Sequence, residues 1–301
     1  MNISEFLVQE LSYLPYEIEI DLVYEKELPL ASEDNCFYKP YQSQRQIDFY
    51  WIPWTKDLGV WIAKDGLEAV LVVRQDAESI RVGGALTIGL TSVIAGASLN
   101  LQKYVAIHAN SVSLQNRAVA FVGTSGRGKS TLSTYCASQG AGFITDDVLV
   151  VDREKLVYPG NPRVKLYTHT AEALGLKNPY QTEYKAFLEP SKIGSFLHSQ
   201  PLPLGTIYLL EINNEDSNIY SQVLSPSEAV FELLKHSYYA SALVPHSRDL
   251  LDTYTRLIKQ VSVRRLFYPR QFALLPQVRD FIAREMTTMP VSTTRSHYVG
   301  I

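Results

Sequence analysis

Apolar and polar positions divide the chain into three stretches. In the first, up to about residue 80, apolar residues come in short β-branched and aromatic runs: Phe49-Tyr50-Trp51-Ile52, Gly59-Val60-Trp61-Ile62 and Ala69-Val70-Leu71-Val72-Val73. Such runs predict strands. Asp65-Gly66, between the last two, predicts a hairpin through a type I′ turn, which needs positive φ. Pro29, Pro40 and Pro53 cut the region into short pieces. In the second stretch, about 108–152, Ala118-Val119-Ala120-Phe121-Val122 is a continuous apolar run, as in a strand covered on both faces. A glycine-rich turn follows, then a predicted helix over 129–139, ended by Gly140 where a left-handed φ is wanted. Phe143-Ile144 and Val148-Leu149-Val150-Val151 predict two more strands. The third stretch alternates. A strand is predicted over 205–211. Ser225-Pro226-Ser227-Glu228 is a capping box that opens a helix to about His236. Leu250, Leu251, Tyr254, Leu257, Ile258 and Val261 recur at helical spacing from about Ser247. A strand over 263–268 and a helix opened by Pro276 complete the pattern, with Val278, Phe281 and Ile282 on one face. Beyond Met286 the chain turns polar, and there is no internal repeat.

One charge-free stretch, 82–99, is long enough to raise a membrane span. Its Gly83, Gly84, Gly89 and Gly96 lower its apolarity, so a buried helix over about 86–102 is the better reading and no membrane partner is expected. Residues 1–11 carry Glu5 and Glu10 and no Lys or Arg, which is not a signal-peptide pattern. The chain of 301 residues is 46% apolar and 20% charged, with 28 Lys plus Arg against 31 Asp plus Glu. That balance excludes global disorder and argues against a nucleic-acid partner. Two cysteines, Cys36 and Cys136, cannot build a disulfide framework, so a cytoplasmic location is expected. The expected division is a strand-rich N-terminal module over 1–84, a catalytic domain over 85–286 and a tail over 287–301.

Gly123, Thr124, Ser125, Gly126, Arg127, Gly128, Lys129 and Ser130 fit G-x-x-x-x-G-K-[ST], with Thr131 following in the helix. Glycines let the backbone wrap close to an anion, and successive N–H groups at a helix N-terminus cradle phosphates. Lys129 would then reach the β- and γ-phosphates, and the Ser130 hydroxyl would ligate Mg²⁺. ATP and Mg²⁺ are the expected ligands. Asp146-Asp147 ends a short apolar strand 17 residues after Lys129. In a parallel α/β sheet that strand edge lies beside the phosphate loop. One carboxylate there can hold Mg²⁺ and a second can act as general base. Adjacent residues of a strand point to opposite sides, so both can face a nucleotide only through a local bend. The competing reading of the pair is a solvated turn, which Asp favours.

Taken together, His108-Ala109-Asn110, the Gly123–Ser130 loop and Gly140-Ala-Gly-Phe-Ile-Thr-Asp-Asp147 resemble the catalytic domain of HPr kinase/phosphorylase and its kinase relatives. That domain is similar in fold to the phosphoenolpyruvate carboxykinases. Some relatives sit in peptide-maturation systems and phosphorylate a serine of a precursor peptide. The resemblance covers about 108–282 and is specific in its first 45 residues. It implies an α/β P-loop kinase domain behind a strand-rich N-terminal module. It also implies that Asp146 accepts the proton of the substrate serine, that Asp147 helps bind the metal, and that His108 supports the site. Two departures stand out. The glycine-rich signature that bifunctional enzymes carry after the Asp pair is missing, and the first hundred residues do not match their regulatory domain.

Further candidates lie downstream. Arg163 or Lys165 can come near phosphate after the turn at Asn161-Pro162, and Arg265 and Arg270 resemble a late strand whose arginine reaches the site in these kinases. The histidines at 169, 198, 236, 246 and 297 show no metal-ligand spacing. The expected function is ATP-dependent transfer of phosphate to a serine hydroxyl of a peptide or protein. Alternatives are a kinase of a small hydroxyl metabolite such as free serine, and a nucleotide-hydrolysing switch or assembly factor. The Asp pair favours a kinase, since a switch needs a water-orienting residue. A carboxykinase is disfavoured by chain length and by the lack of a second metal cluster. The reading leaves a homo-oligomer open. The aromatic residues Phe49, Tyr50, Trp51, Trp54 and Trp61 either form the N-terminal module's own core or line a groove for an extended peptide.

Overall fold

The computed structural model describes residues 18–28, 47–74, 93–160, 163–176, 180–181, 185–213, 218–238 and 247–289. Three of the four N-terminal strands form where the aromatic and β-branched runs predict them, and the first is one that no such run marked. β1 (Glu19–Glu25), β2 (Phe49–Pro53), β3 (Leu58–Ala63) and β4 (Glu68–Arg74) make a sheet of order β1-β4-β3-β2, parallel only between β1 and β4. The β3–β4 connection differs from the expected type I′ turn. The last ladder pair is Ile62 with Ala69, which leaves a loop longer than two residues. Gly66 is its one left-handed residue, at φ 75°, and its N–H donates to the Ala63 carbonyl at 2.8 Å.

Next in the chain come α1 (Ala95–Leu101), β5 (Val105–Leu114), β6 (Arg117–Val122), α2 (Lys129–Ser138), β7 (Gly142–Thr145), β8 (Val148–Val151) and β9 (Leu156–Val157). Residues 81–92 lie outside the described ones, so of the helix expected over 86–102 only the C-terminal part is seen, as α1. The boundary at 84/85 and most of the tail also lie outside them. A small sheet of β10 (Val164–Tyr167), β11 (Tyr180–Gln181) and β12 (Lys185–Leu188) follows, with α3 (Thr168–Ala173) between its first two strands. The chain ends in β13 (Leu202–Ile212), β14 (Tyr220–Val223), α4 (Pro226–Lys235), α5 (Ser247–Ile258), β15 (Ser262–Tyr268) and α6 (Leu275–Thr288). Among the described residues no helix is long and apolar enough to cross a membrane.

The main sheet has the order β14-β15-β13-β6-β5-β8-β9, with β7 also paired to β5. It is mixed rather than parallel. β13 runs parallel to β6 and β15, while β5 is antiparallel to β6. Because β7 is antiparallel to β5 in turn, β6 and β7 run in the same direction. Their carboxyl ends therefore still share one edge of the sheet.

Period-two alternation on β6 supplies both cores, as the continuous apolar run predicts. Val119 and Phe121 face α2 and α6, meeting Leu132, Cys136, Val278 and Ile282. Ala118, Ala120 and Val122 face the other way, into a cluster with Leu233 of α4, Tyr254 and Leu257 of α5, and Tyr50, Ile52, Val60, Ile62 and Leu71 of the N-terminal sheet. The N-terminal sheet thus shares the core of the main sheet. Its opposite face has a cluster of its own, in which Trp51 and Trp61 are cross-strand partners with ring centroids 5.0 Å apart.

Candidate functional site

β6 delivers the glycine-rich loop to the sheet edge and α2 carries it away. Gly126 and Gly128 have φ 83° and 90°, a region closed to most side chains. A Cβ at Gly128 would also collide with the Tyr268 hydroxyl. That hydroxyl donates to the Arg127 carbonyl at 2.6 Å, so β15 braces the loop from behind. Thr124, Ser125, Gly126 and Gly128, with Lys129, Ser130 and Thr131 at the start of α2, line a cavity of about 660 Å³. Gly123 and Arg127 do not line it. The Arg127 guanidinium turns to Glu211 at 3.2 Å. Lys129 is buried, and its Nζ donates to the Gly123 carbonyl at 2.7 Å. Burial lowers its pKa, against the pull of Asp147 and Asp146.

The aspartate pair owes its position to β5. His108 pairs with Val148 of β8, and Ser111 pairs with Thr145 of β7. Asp146 and Asp147 bulge out between those two ladders, and the Asp147 carbonyl accepts from the Ala109 N–H at 3.1 Å. Asp147 is left-handed, at φ 68°, a local bend as expected at the pair, and of the two aspartates Asp147 is the one that lines the cavity.

The two carboxylates then meet different surroundings. Asp146 is 6% exposed. It accepts from the Asn110 amide and, at 2.7 Å, from the Lys165 backbone N–H. Asn110 Nδ2 is also 3.4 Å from the Ser130 hydroxyl and 3.2 Å from that of Ser133, while Asn110 Oδ1 is buried with no partner among the described residues. Burial, and then the charge of Asp147, push the Asp146 pKa up. Asp147 lines the cavity. Its carboxylate holds the Lys165 ammonium, lies 3.4 Å from His108 Nε2, and its backbone carbonyl accepts from the Tyr238 hydroxyl at 2.8 Å. Burial acts to raise its pKa, but His108 and Lys165 outweigh that and hold it well below the usual carboxylate range.

His108 stacks on Tyr238 with the rings nearly coplanar in orientation, 3° apart. Tyr238 in turn rests on Gly96 of α1, where a Cβ would strike its ring. The cavity is completed by Lys165, Tyr167, His169 and Phe187 from the small sheet and its helix, by Arg270 and Phe272 after β15, and by Trp54 after β2.

Several expected residues lie elsewhere. Arg265 does not reach the cavity, because β15 aims it at Glu232 of α4, 3.4 Å away. Its neighbour Arg264 pairs with Glu285 of α6 at 2.8 Å. Arg163 is exposed and lies outside the cavity lining. Of the late arginines Arg270 alone lines it, from beyond the strand end. His198 binds Ser113 away from the site. Among the described residues no group of three or more His, Cys, Asp and Glu could hold a metal. The division of labour expected within the pair also meets a different geometry, since Asp147 faces the cavity and Asp146 sits behind it. Asn110 could have been read from the sequence as the next residue on the His108 face of the strand. Lys165, expected near phosphate, does line the cavity and engages both aspartates, and Trp54, expected as core or peptide groove, lines it too; Tyr238 comes from a distant segment with no local pattern marking it.

Chemically, the arrangement offers three cations (Lys129, Lys165, Arg270), backbone N–H groups at a helix start, and one carboxylate aimed into the space between them. That set suits a polyphosphate and a hydroxyl nucleophile. The donor set near Ser130 also suits Mg²⁺, which takes one or two protein oxygens and keeps several waters. Ser130 Oγ and the Asp146 carboxylate are held beside each other by the same Asn110 amide.

No family model matches the chain, and no curated protein matches it. Among solved structures it is similar to the Hpr(Ser) kinase/phosphatase from Coxiella burnetii, at 13% identity and a TM-score of 0.34, over 60% of this chain and 96% of that one.

Proposed function

We propose that the protein is an ATP-dependent kinase that phosphorylates a serine hydroxyl on a peptide or protein. The observation that carries this reading is the shared cavity, which Lys129, Ser130, the loop backbone and Asp147 all line. The loop N–H groups and Lys129 hold the β- and γ-phosphates, with Arg270 at the far side. Ser130 and Asp146 would hold Mg²⁺, which when bound neutralises charge on the phosphates.

Asp147, rather than Asp146, accepts the proton. What supports this is access, since a base must reach the proton it takes, and geometry ranks before pKa. A carboxylate with a lowered pKa is adequate here, because phosphoryl transfer is loose and asks little of the base. The hydroxyl oxygen forms a bond to the γ-phosphorus, and the bond from that phosphorus to the β–γ bridging oxygen breaks. The hydroxyl proton passes to Asp147, and ADP leaves. Lys165 and His108 fix the Asp147 carboxylate so that it points at the acceptor.

The test is incubation of the full chain with γ-labelled Mg·ATP and serine peptides, with mass spectrometry of the products. A phosphoserine product that disappears in Lys129→Ala is expected. Lys129 makes charge-assisted contacts of about 1.5–3 kcal/mol, so the variant should also bind Mg·ATP roughly ten- to a hundredfold more weakly in calorimetry. Label released only as inorganic phosphate, whatever acceptor is offered, would overturn the reading.

A further inference from the structure

The cavity lining differs around the glycine loop and around Asp147. Tyr268 is bonded to the loop itself, and Arg270 and Phe272, which follow it in the chain, line the cavity with it. Asp147 shares the cavity with four further aromatic side chains: Tyr238, whose hydroxyl donates to the Asp147 carbonyl, Tyr167 and Phe187 from the strands that carry Lys165 and its cross-strand partner, and Trp54. Trp54 comes from the opposite face of the main sheet, where it packs against the core shared with the N-terminal sheet.

Trp54 is also held firmly. It begins the turn between β2 and β3, where its N–H and that of Thr55 both donate to the Leu58 carbonyl, at 3.1 and 3.0 Å. Asp57, in the same turn, is tied to β4 by an ion pair with Arg74 and by the Arg74 N–H on its carbonyl. With its backbone fixed in this way, a half-buried indole at a cavity wall is a preorganised contact surface.

Charge distinguishes the possible acceptors. Among the described lining residues Asp147 is the one carboxylate, and Lys165 and His108 already engage it. A free amino acid would bring an ammonium beside Lys165 and Lys129 with no unengaged carboxylate among the described lining residues, which is unfavourable. A peptide serine brings neutral amides and the side chains of its neighbours. We propose that the lining around Asp147 is an acceptor subsite for a serine that has an aromatic or large apolar residue beside it in a peptide, with Trp54 as the specificity-determining residue. This rests on the kinase reading above.

The experiment measures steady-state transfer from Mg·ATP to three acceptors: blocked Gly-Phe-Ser-Gly, blocked Gly-Gly-Ser-Gly, and free serine. An aromatic contact contributes about 0.5–1.5 kcal/mol, so the Phe peptide should have a KM lower than the Gly peptide by up to about tenfold. Trp54→Ala should erase that difference and leave the KM for ATP unchanged, and Trp54→Phe should restore most of it. A thermal melt checks folding. If Trp54→Ala does not fold, Trp54→Phe against Trp54→Leu carries the comparison. Equal KM values for the two peptides, or a Trp54 effect on the KM for ATP alone, would each overturn the subsite while leaving the kinase reading standing; a preference for free serine would overturn the subsite together with the peptide acceptor of that reading. Absence of transfer to all three acceptors despite Mg·ATP binding would remove the kinase reading and the subsite with it.

Discussion

The Lys165 side chain ion-pairs with the Asp147 carboxylate, while the Lys165 backbone N–H donates to Asp146 at 2.7 Å. One residue of β10 therefore fixes both carboxylates, one through its ammonium and one through its main chain. Burial acts to lower the Lys165 pKa, but Asp147 and Asp146 outweigh it and keep the ammonium charged. Lys165→Met removes only the first contact. It should leave Asp146 in place and free the Asp147 side chain to swing. The expected outcome is a fall in kcat of about tenfold or more with little change in the KM for ATP, since misplacing a reacting group costs rate rather than binding. Initial-rate kinetics on the purified variant check this, and an unchanged kcat would remove Lys165 from the machinery.

The aspartates should separate cleanly by substitution. Asp147→Asn keeps size and removes the proton acceptor, so transfer should fall by about a hundredfold, the low end for a general base, because the loose transfer asks little of it. Mg·ATP binding in calorimetry should survive. Asp146→Asn alters a residue that touches Asn110 and lies next to Ser130, so its main effect should be a higher Mg²⁺ requirement. If Asp146→Asn abolishes transfer at saturating Mg²⁺ and Asp147→Asn does not, the roles are the reverse.

Much of this arrangement was legible in the chain, and the rest was not for identifiable reasons. Local chemistry speaks clearly. The capping box at Ser225 forms, with the Glu228 carboxylate accepting from the Ser225 N–H at 3.0 Å. Gly128 takes the left-handed conformation at the start of α2. The apolar run of β6 is covered on both faces. What pattern cannot report is direction at a bend and meeting at a distance. The left-handed turn at Asp147 decides which aspartate faces the cavity, and nothing in the dipeptide reveals it. Strand registry sends Arg264 and Arg265 to the helices on either side of β15, so of the late arginines among the described residues only Arg270, past the strand end, lines the site. Trp54 and Lys165 are 111 residues apart and meet through the fold alone.

Two histidines couple stability to pH. Burial lowers the pKa of His198, and burial followed by the charges of Lys129 and His108 lowers that of His236. Their folded values lie below the unfolded one of 6.5, so the unfolded chain binds more protons once the pH drops. Their contribution is complete above the unfolded value and is lost as pH falls through the folded one. His198→Gln keeps a partner for Ser113, which now lies 2.7 Å from the imidazole, and removes the titration. The melting temperature of the wild type should fall more steeply between pH 7.5 and 5 than that of His198→Gln. Parallel curves would show that His198 has no part in the acid limb.

The N-terminal sheet should be inseparable from the rest. Its strands present two faces, and the one carrying Tyr50, Ile52, Val60, Ile62 and Leu71 packs into the cluster that contains Ile107, Ile207 and Leu233. Ile62 is 0% exposed. Truncating such a residue to Ala removes transfer energy and leaves a cavity, at a cost of about 2–5 kcal/mol. Ile62→Val should cost about 0.5–1.5 kcal/mol. Both losses should appear in urea denaturation of the full chain as a lower midpoint, in a single transition that includes the main sheet. Five buried side chains of this kind together amount to about 10–25 kcal/mol, as large as the 5–15 kcal/mol that normally separates folded from unfolded. A chain beginning at Val93 should therefore fail to fold, even though it keeps the glycine loop and both aspartates. A separate early transition in Ile62→Ala, with Mg·ATP binding intact beyond it, would instead mean that the sheet is an independent unit laid against a self-sufficient catalytic half.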